Sequence, residues 1–138
     1  MVRDTGSGRI IKERYFEVKN ELGLDTDLEA EFKEIESHFS KNIDEEYLVS
    51  RGEYLAAKMM ADYLNYQFVD AAELIYFDYS GKVDNEKTDS AIKEVLAKYS
   101  KIVVPGFYGV YPDQKIHLLS RGGSDVTGSI LAKASNAD

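Results

Sequence analysis

The sequence predicts an α/β fold with a mostly parallel sheet, one β-hairpin and a helical N-terminal third. Three observations lead to this prediction. Apolar residues recur at helical spacing through the first third of the chain. From Tyr47 onward, predicted helices and strands alternate, which is typical of an α/β sheet. Ile102-Val103-Val104 is a continuous apolar run, and such runs are typical of buried parallel strands.

Two helices joined by a short link are predicted for residues 9–45. Gly23 follows the first apolar stripe, at the position where helices commonly end in a left-handed residue. Thr26 and Glu29 have the spacing of a capping box and should begin the second helix. The two apolar stripes consist of Ile11, Tyr15, Val18 and Leu22, and of Leu28, Phe32, Ile35 and Phe39. Residues 1–8 are expected to form a flexible segment, because they are rich in glycine and serine.

Residues 46–138 are predicted to form the α/β portion of the domain. A helix with an apolar stripe precedes a short strand, and a second such helix precedes the apolar strand described above. Pro105-Gly106 ends that strand at the carboxyl edge of the sheet, where open α/β sheets bind ligands. A turn at Tyr111–Gln114 then joins the two strands of a hairpin. The predicted strands are 66–69, 102–104, 107–110 and 115–119.

The composition is that of one globular domain and argues against several functional classes. The chain has 138 residues, of which 43% are hydrophobic and 30% are charged, so it can bury a core. A net charge of −8 argues against nucleic-acid binding, which needs a basic face. No apolar run is long enough to cross a membrane, and the absence of cysteine fits a reducing cytoplasm. His38 and His117 are isolated from each other and predict no metal site.

The segment Ser120–Asp125 is the most informative local pattern, because it places a glycine pair between a predicted strand and a predicted helix. Gly122 and Gly123 would let the backbone approach a ligand closely. The first N–H groups of the helix would attract an anion, and Arg121 adds a planar fork suited to a carboxylate or phosphate. A tight turn with a serine or aspartate cap is the structural alternative. On chemistry alone, Asp125 is equally a helix cap or an organiser of a site.

A second candidate segment, Ser50-Arg51-Gly52-Glu53, is predicted to open another helix. Ser50 and Glu53 have the spacing of a capping box, and on local grounds this structural interpretation is favoured about two to one over a binding role. The apolar stripe that follows is attributed to the core. It consists of Leu55, Ala56, Met59, Met60, Tyr63 and Leu64.

Four stretches of the sequence occur in the order, and at roughly the spacing, seen in aspartate kinases. They are SRGEYLAAKMMADYLN, FVDAAELI, IVVPGFYG and LLSRGGSDVTGSILAKASNAD. From about Tyr47 to Asp138 the chain therefore resembles the central part of the catalytic domain of that family, within the amino acid kinase superfamily. The resemblance implies a partial three-layer αβα sandwich of the amino acid kinase type. Ser120 and Gln114 stand where the family usually has glycine.

The resemblance also implies an activity and a set of site residues. Aspartate kinases transfer the γ-phosphoryl group of ATP to the β-carboxylate of L-aspartate, the first step towards lysine, threonine and methionine. By resemblance, Glu53 binds the substrate ammonium and Arg121 binds its α-carboxylate, while Ser124 donates a hydrogen bond to the substrate. The implied catalytic residues are Gly122, Gly123 and Asp125.

The implied cofactors are ATP and Mg²⁺, and no residue is assigned to the nucleotide site. The implied partners are L-aspartate and ATP, without nucleic acid or membrane, and the full-length enzyme is expected to be a cytoplasmic homo-oligomer. The family's K-F-G-G strand, nucleotide lobe and regulatory ACT domains have no counterpart in these residues, so we expect a fragment that is inactive alone. Two alternatives remain open at this point: another amino acid kinase, such as a glutamate kinase, and a non-catalytic binding module derived from that fold.

Overall fold

The computed structural model describes residues 6–38, 44–119 and 123–135, and the side chains of 12–38, 44–119 and 126–134 among them. The α-helices are α1 (Gly6–Leu22), α2 (Leu28–Ser37), α3 (Glu45–Leu64), α4 (Asn85–Lys98) and α5 (Gly123–Ser135), with a 3-10 helix at Ala71–Glu73. The strands are β1 (Gln67–Phe68), β2 (Ile102–Val103), β3 (Tyr108–Val110) and β4 (Ile116–Leu118). Helices and strands alternate after α3, so the predicted α/β class is confirmed.

The described strands form two small sheets. β1 pairs with β2 in parallel, and Phe68 lies opposite Val103. β3 and β4 form the predicted antiparallel hairpin, in which Gly109 lies opposite His117. A parallel bridge between Tyr76 and Val110 joins β3 to the segment that follows the 3-10 helix. The predicted mixture of parallel pairing and one hairpin is therefore present, although each strand is only two or three residues long.

The hairpin turn ends in a residue with a left-handed backbone. Gln114 has φ of 72°, and its N–H donates to the Tyr111 carbonyl at 2.9 Å. Asp113 Oδ1 accepts the Lys115 N–H at 3.1 Å and closes the turn on its other side. Glycine adopts this conformation at least cost, which explains why a glycine would suit the position that Gln114 occupies.

Two apolar cores hold the chain together. The larger core lies where β3 packs on the 3-10 helix, and it also includes Ile92 of α4. Its fully buried side chains include Leu74, Ile75, Ile92 and Tyr108. The smaller core lies between the N-terminal helices and α3. Its buried residues are Leu28, Leu55 and Met59, so α3 contributes to it with part of the predicted apolar stripe. Ala56, Met60, Tyr63 and Leu64 of that stripe are exposed, which corrects their assignment to the core.

The start of α3 lies upstream of the predicted position. Its N-cap is Asp44, whose side chain accepts the N–H groups of Glu46 and Tyr47 at 3.1 and 3.3 Å. The predicted capping box at Ser50 and Glu53 is therefore wrong, because both residues lie inside the helix. Ser50 Oγ instead donates to the Tyr47 carbonyl at 2.6 Å. Aspartate is among the strongest N-caps, and it begins the helix more than a turn earlier.

The second predicted capping box is also wrong. Asp27 caps α2 by accepting the Ala30 N–H at 3.1 Å. Thr26 turns away and donates its hydroxyl to Asp62 Oδ2 on α3 at 2.7 Å. Gly23 follows α1 with φ of +66°, so its predicted role as a left-handed helix end is confirmed.

The first helix begins earlier than expected. Residues 6–8, assigned above to a flexible segment, form the first turn of α1, whereas residues 1–5 lie outside the described part. The first N–H groups of any helix have no intrahelical partner, so low-propensity residues are tolerated there. In the described residues no helix combines the length and hydropathy needed to span a membrane.

Candidate functional site

A buried arginine on α3 lies among three tyrosine rings, which we call the tyrosine cage (Tyr47, Tyr54 and Tyr108). The Arg51 guanidinium carbon is 4.1 Å from the centre of the Tyr54 ring, 4.5 Å from that of Tyr47 and 5.6 Å from that of Tyr108. Its Nε and Nη2 both donate to Ser50 Oγ, at 3.1 and 3.0 Å. Only 9% of Arg51 is exposed. Stacking on ring faces is a favourable environment for a desolvated guanidinium, so the cage joins α3 to β3.

Sequence reasoning did not single out Arg51, although part of the signal was available. Tyr47 and Tyr54 lie four residues before and three residues after Arg51, which places all three on one helix face. Tyr108 comes from a distant strand, so its part in the cage depends on the tertiary structure.

The third ring of the cage is anchored to the segment that follows β1. The Tyr108 hydroxyl donates to Asp70 Oδ1 at 2.5 Å, and the same oxygen accepts the Ala72 N–H at 3.1 Å. Burial, and next the negative charge of Asp70, raise the pKa of Tyr108 well above its usual range. The phenol is therefore a neutral donor that ties β3 to the 3-10 helix.

We expect Tyr108 to make the protein less stable as the pH rises above about 10. The folded-state pKa is raised above the ordinary value of 10.0, so the unfolded chain loses this proton first. The stabilisation is fully present below that pH, and between about pH 10 and 12 it should fall by about 1.4 kcal/mol per pH unit. Urea denaturation across this range should give a smaller slope for Tyr108→Phe than for the wild type. Tyr79→Phe is the matched control because Tyr79 is 76% exposed; equal slopes for all three proteins would contradict the prediction.

Glu53, the predicted ligand of an ammonium group, is exposed on α3. Its charge is near Tyr15, whose pKa is raised first by burial and second by Glu53. Glu53 lies seven residues after Glu46 and hence on the same helix face, about 10 Å further along. Glu46 Oε1 accepts the Leu118 N–H at 3.1 Å and lies 3.2 Å from His117 Nδ1. This face of α3 therefore borders the carboxyl end of β4, where the glycine-rich segment begins.

The glycine-rich segment is described only from Gly123 onward. The backbone of Gly123, Ser124 and Asp125 forms the first turn of α5, but their side chains are not among those described. Arg121 and Gly122 lie outside the described residues altogether. A strand precedes this segment and a helix follows it, as predicted, since β4 ends at Leu118 and α5 begins at Gly123. The convergence of Glu53 with Arg121 stays a prediction.

The part of the chain that the structure describes contains no group of three or more His, Cys, Asp or Glu side chains that could hold a metal ion. His117 is held instead by the Tyr111 hydroxyl, 2.8 Å from its Nδ1, and by an edge-on contact with the Phe77 ring. These contacts give His117 a packing role in the hairpin.

Similarity to known proteins identifies the family to which this chain belongs. A family model described as the amino acid kinase family matches residues 7–138. The chain belongs to the amino acid kinase family. Aspartokinase 3 of Bacillus subtilis (strain 168) is 31% identical over 144 residues, covering 93% of this chain and 31% of that protein. Aspartokinase 3, chloroplastic, of Arabidopsis thaliana is 30% identical over 147 residues, covering 90% of this chain and 26% of that protein.

Solved structures of amino acid kinases show the same relation. The crystal structure of Clostridium acetobutylicum aspartate kinase matches with a TM-score of 0.89 and 42% identity, covering 94% of this chain and 30% of that chain. Escherichia coli aspartokinase III in complex with aspartate and ADP matches with a TM-score of 0.69 at 18% identity, covering 97% and 36% of the two chains, and shows the fold alone. The predicted amino acid kinase fold and the resemblance to aspartate kinases are confirmed. The chain spans about a third of the length of these relatives.

Proposed function

We propose that this amino acid kinase chain is part of the catalytic domain of an aspartate kinase, with residues 9–138 contributing to that domain. One observation carries the proposal: 94% of the chain superposes on Clostridium acetobutylicum aspartate kinase at a TM-score of 0.89 and 42% identity. In the proposed reaction, an oxygen of the β-carboxylate of L-aspartate bonds to the γ-phosphorus of ATP. The bond from that phosphorus to the β,γ-bridging oxygen breaks, and ADP leaves as 4-phospho-L-aspartate forms.

Two charged residues would bind the ends of the amino acid that do not react. The Glu53 carboxylate would bind the ammonium group, and Arg121 would bind the α-carboxylate with its planar fork. The geometry of α3 supports this assignment, because the face that carries Glu53 borders the end of β4 through the contact between Glu46 and Leu118. Arg121 follows β4 by three residues, within reach of that face.

The remaining proposed site residues lie at the start of α5. The backbone amides of Gly122 and Gly123 would face the β-carboxylate and the γ-phosphate, where the unpaired N–H groups of a helix start favour negative charge. Ser124 would donate a hydrogen bond to the substrate, and Asp125 would organise the turn. The start of α5 at Gly123 supports this arrangement.

The cofactors and the setting of the enzyme are also proposed by relationship. ATP is the phosphoryl donor, in keeping with the ADP in the Escherichia coli aspartokinase III complex. Mg²⁺ usually binds through substrate phosphates together with one or two carboxylates, so it would enter with ATP, and no residue of this chain is proposed as its ligand. We expect the full-length protein to be a cytoplasmic homo-oligomer that serves the synthesis of lysine, threonine and methionine.

The proposed function is tested by the activity of the full-length protein that contains this chain. It should form an aspartyl phosphate that hydroxylamine traps as the hydroxamate, in a reaction that needs both ATP and L-aspartate. Arg121→Lys keeps the charge but loses the fork, so kcat/KM for aspartate should fall by about 10- to 100-fold while the KM for ATP stays unchanged. Glu53→Gln should raise the KM for aspartate in the same selective way.

Arg14→Lys is the matched control, because Arg14 is exposed on α1, and its kinetics should equal those of the wild type. A higher kcat/KM with L-glutamate than with L-aspartate would favour the alternative of a glutamate kinase. A full-length protein that binds aspartate without any ATP-dependent turnover would favour a binding module.

A further inference from the structure

Phe107, in the loop between β2 and β3, has a backbone conformation that aromatic residues rarely adopt. Its φ is +62°, in the left-handed region where the Cβ of a bulky residue is crowded. Such conformations persist only where surrounding contacts hold them. The loop follows the carboxyl end of β2, the edge at which open α/β sheets bind ligands.

Two hydrogen bonds hold the Phe107 backbone. Its N–H donates to Thr127 Oγ1 at 3.0 Å, and its carbonyl accepts the Leu119 N–H at 2.7 Å. Leu119 directly follows β4, and Thr127 lies in the second turn of α5. One strained residue is thus bonded to the backbone just before the glycine-rich segment and to the helix just after it. We call these two bonds the Phe107 clamp.

Thr127 connects the Phe107 clamp to the start of α5, because it bonds to Phe107 and belongs to the same helix as Gly123. It is buried, with 3% of its surface exposed. It follows Ser124 by three residues and Gly123 by four, so all three lie on the same side of the helix. A shift of Thr127 relative to Phe107 would therefore move the turn that carries Gly123 and Ser124.

We propose that Thr127 is a positioning residue for the aspartate site, acting through the Phe107 backbone to hold the first turn of α5 against the loop after β2. The inference rests on the proposed function and adds to it a residue that does not itself contact substrate. The clamp is needed because the amides at the start of α5 must meet the reacting groups within a fraction of an ångström, and small misplacements are costly in rate.

The test is Thr127→Val in the full-length protein. Valine has nearly the shape of threonine but no oxygen, so the Phe107 N–H loses its acceptor and the strained backbone can relax. We expect kcat/KM for aspartate to fall by about 10- to 100-fold with the KM for ATP unchanged. Thr127→Ser keeps the hydroxyl and should restore most of the activity. In the same full-length variants, amide hydrogen exchange at Phe107 should accelerate in Thr127→Val and not in Thr127→Ser.

Thr88→Val is the matched control. Thr88 is equally buried, and its Oγ1 accepts the Tyr76 N–H at the same distance of 3.0 Å, but it lies in α4. It should lose a similar amount of stability and keep the wild-type kinetics for aspartate. Equal kinetic losses in Thr88→Val and Thr127→Val would overturn the proposal, because the effect would then be one of stability alone.

A second variant tests the role of strain. Glycine adopts positive φ without penalty, so in a Phe107→Gly background the change Thr127→Val should cost a smaller factor in kcat/KM than it does in the wild type. An equal factor in both backgrounds would overturn the clamp. An active wild type with unchanged Thr127→Val kinetics would also overturn it while leaving the proposed function standing. A wild type without aspartate-dependent turnover would overturn both.

Discussion

Replacing Gly109 by alanine should lower the free energy of unfolding by about 3 kcal/mol, through overpacking. Gly109 is buried in β3, where the strand packs directly on the segment after the 3-10 helix. An added Cβ would overlap the Ile75 carbonyl oxygen and would lie 2.7 Å from the Phe77 ring and 2.8 Å from an Ile75 methyl group. A backbone oxygen cannot move aside as a flexible side chain can. The strand must shift instead, and it would disturb both the larger core and the hairpin.

Urea denaturation, monitored by circular dichroism, measures this effect. Gly128→Ala is the matched control, because Gly128 lies within α5 with nothing within 4 Å of an added Cβ. Alanine has the higher helix propensity, so this variant should gain about 0.5–1 kcal/mol. A Gly109→Ala protein as stable as the wild type would show that β3 does not pack as closely on Ile75 as the structure indicates.

Replacing Arg51 by alanine should lower the free energy of unfolding by about 3 kcal/mol, because three ring contacts and a buried side-chain volume are lost together. The guanidinium lies within 4.1 to 5.6 Å of the three ring centres of the tyrosine cage. Its removal leaves a cavity between α3 and β3, and Ser50 Oγ loses the two hydrogen bonds that Arg51 donates to it. Arg51→Lys keeps the charge but not the planar stacking surface, so its loss should be intermediate.

Denaturation midpoints of the two Arg51 variants should be compared with that of Arg14→Ala. Arg14 is exposed on α1, so its removal should change the free energy of unfolding by no more than about 0.5 kcal/mol. If Arg51→Lys were as stable as the wild type, the charge and not the stacking would account for the cage. If Arg51→Ala were as stable as the wild type, the cage would not join α3 to β3 energetically.

Local sequence patterns predicted a helix end correctly where no other nearby residue could take the same capping role. Gly23 was expected to end α1 and does so with a left-handed backbone, because glycine has no competitor for that conformation nearby. Both capping boxes failed for the opposite reason. Asp27 is a strong cap next to one expected helix start and Asp44 is a strong cap more than a turn before the other, and spacing rules do not rank competing caps.

The sequence likewise predicted one part of the candidate site, and only the tertiary structure shows the other part. The segments around Glu53 and Gly123 stand out in the sequence because residue types and spacing carry the resemblance to aspartate kinases. Glu53 lies inside a helix because Asp44 caps α3 upstream of it. The same helix face meets β4 through the contact between Glu46 and Leu118, which are far apart in the chain. No period of apolar residues encodes such a contact.

The sequence alone predicted the α/β class and the hairpin, because helical periodicity, apolar strands and turns are patterns of neighbouring residues. It also predicted the family, because four motifs occur in the family's order. Three features depend instead on contacts between distant parts of the chain. Arg51 is buried where β3 packs on α3, and position 109 requires glycine because β3 packs on Ile75. The strained backbone of Phe107 is held where the loop before β3 contacts α5. These contacts form when the helices and strands pack into two cores. In a close-packed core each side chain must fit the shape of neighbours that are distant in sequence, and a local pattern does not contain that information.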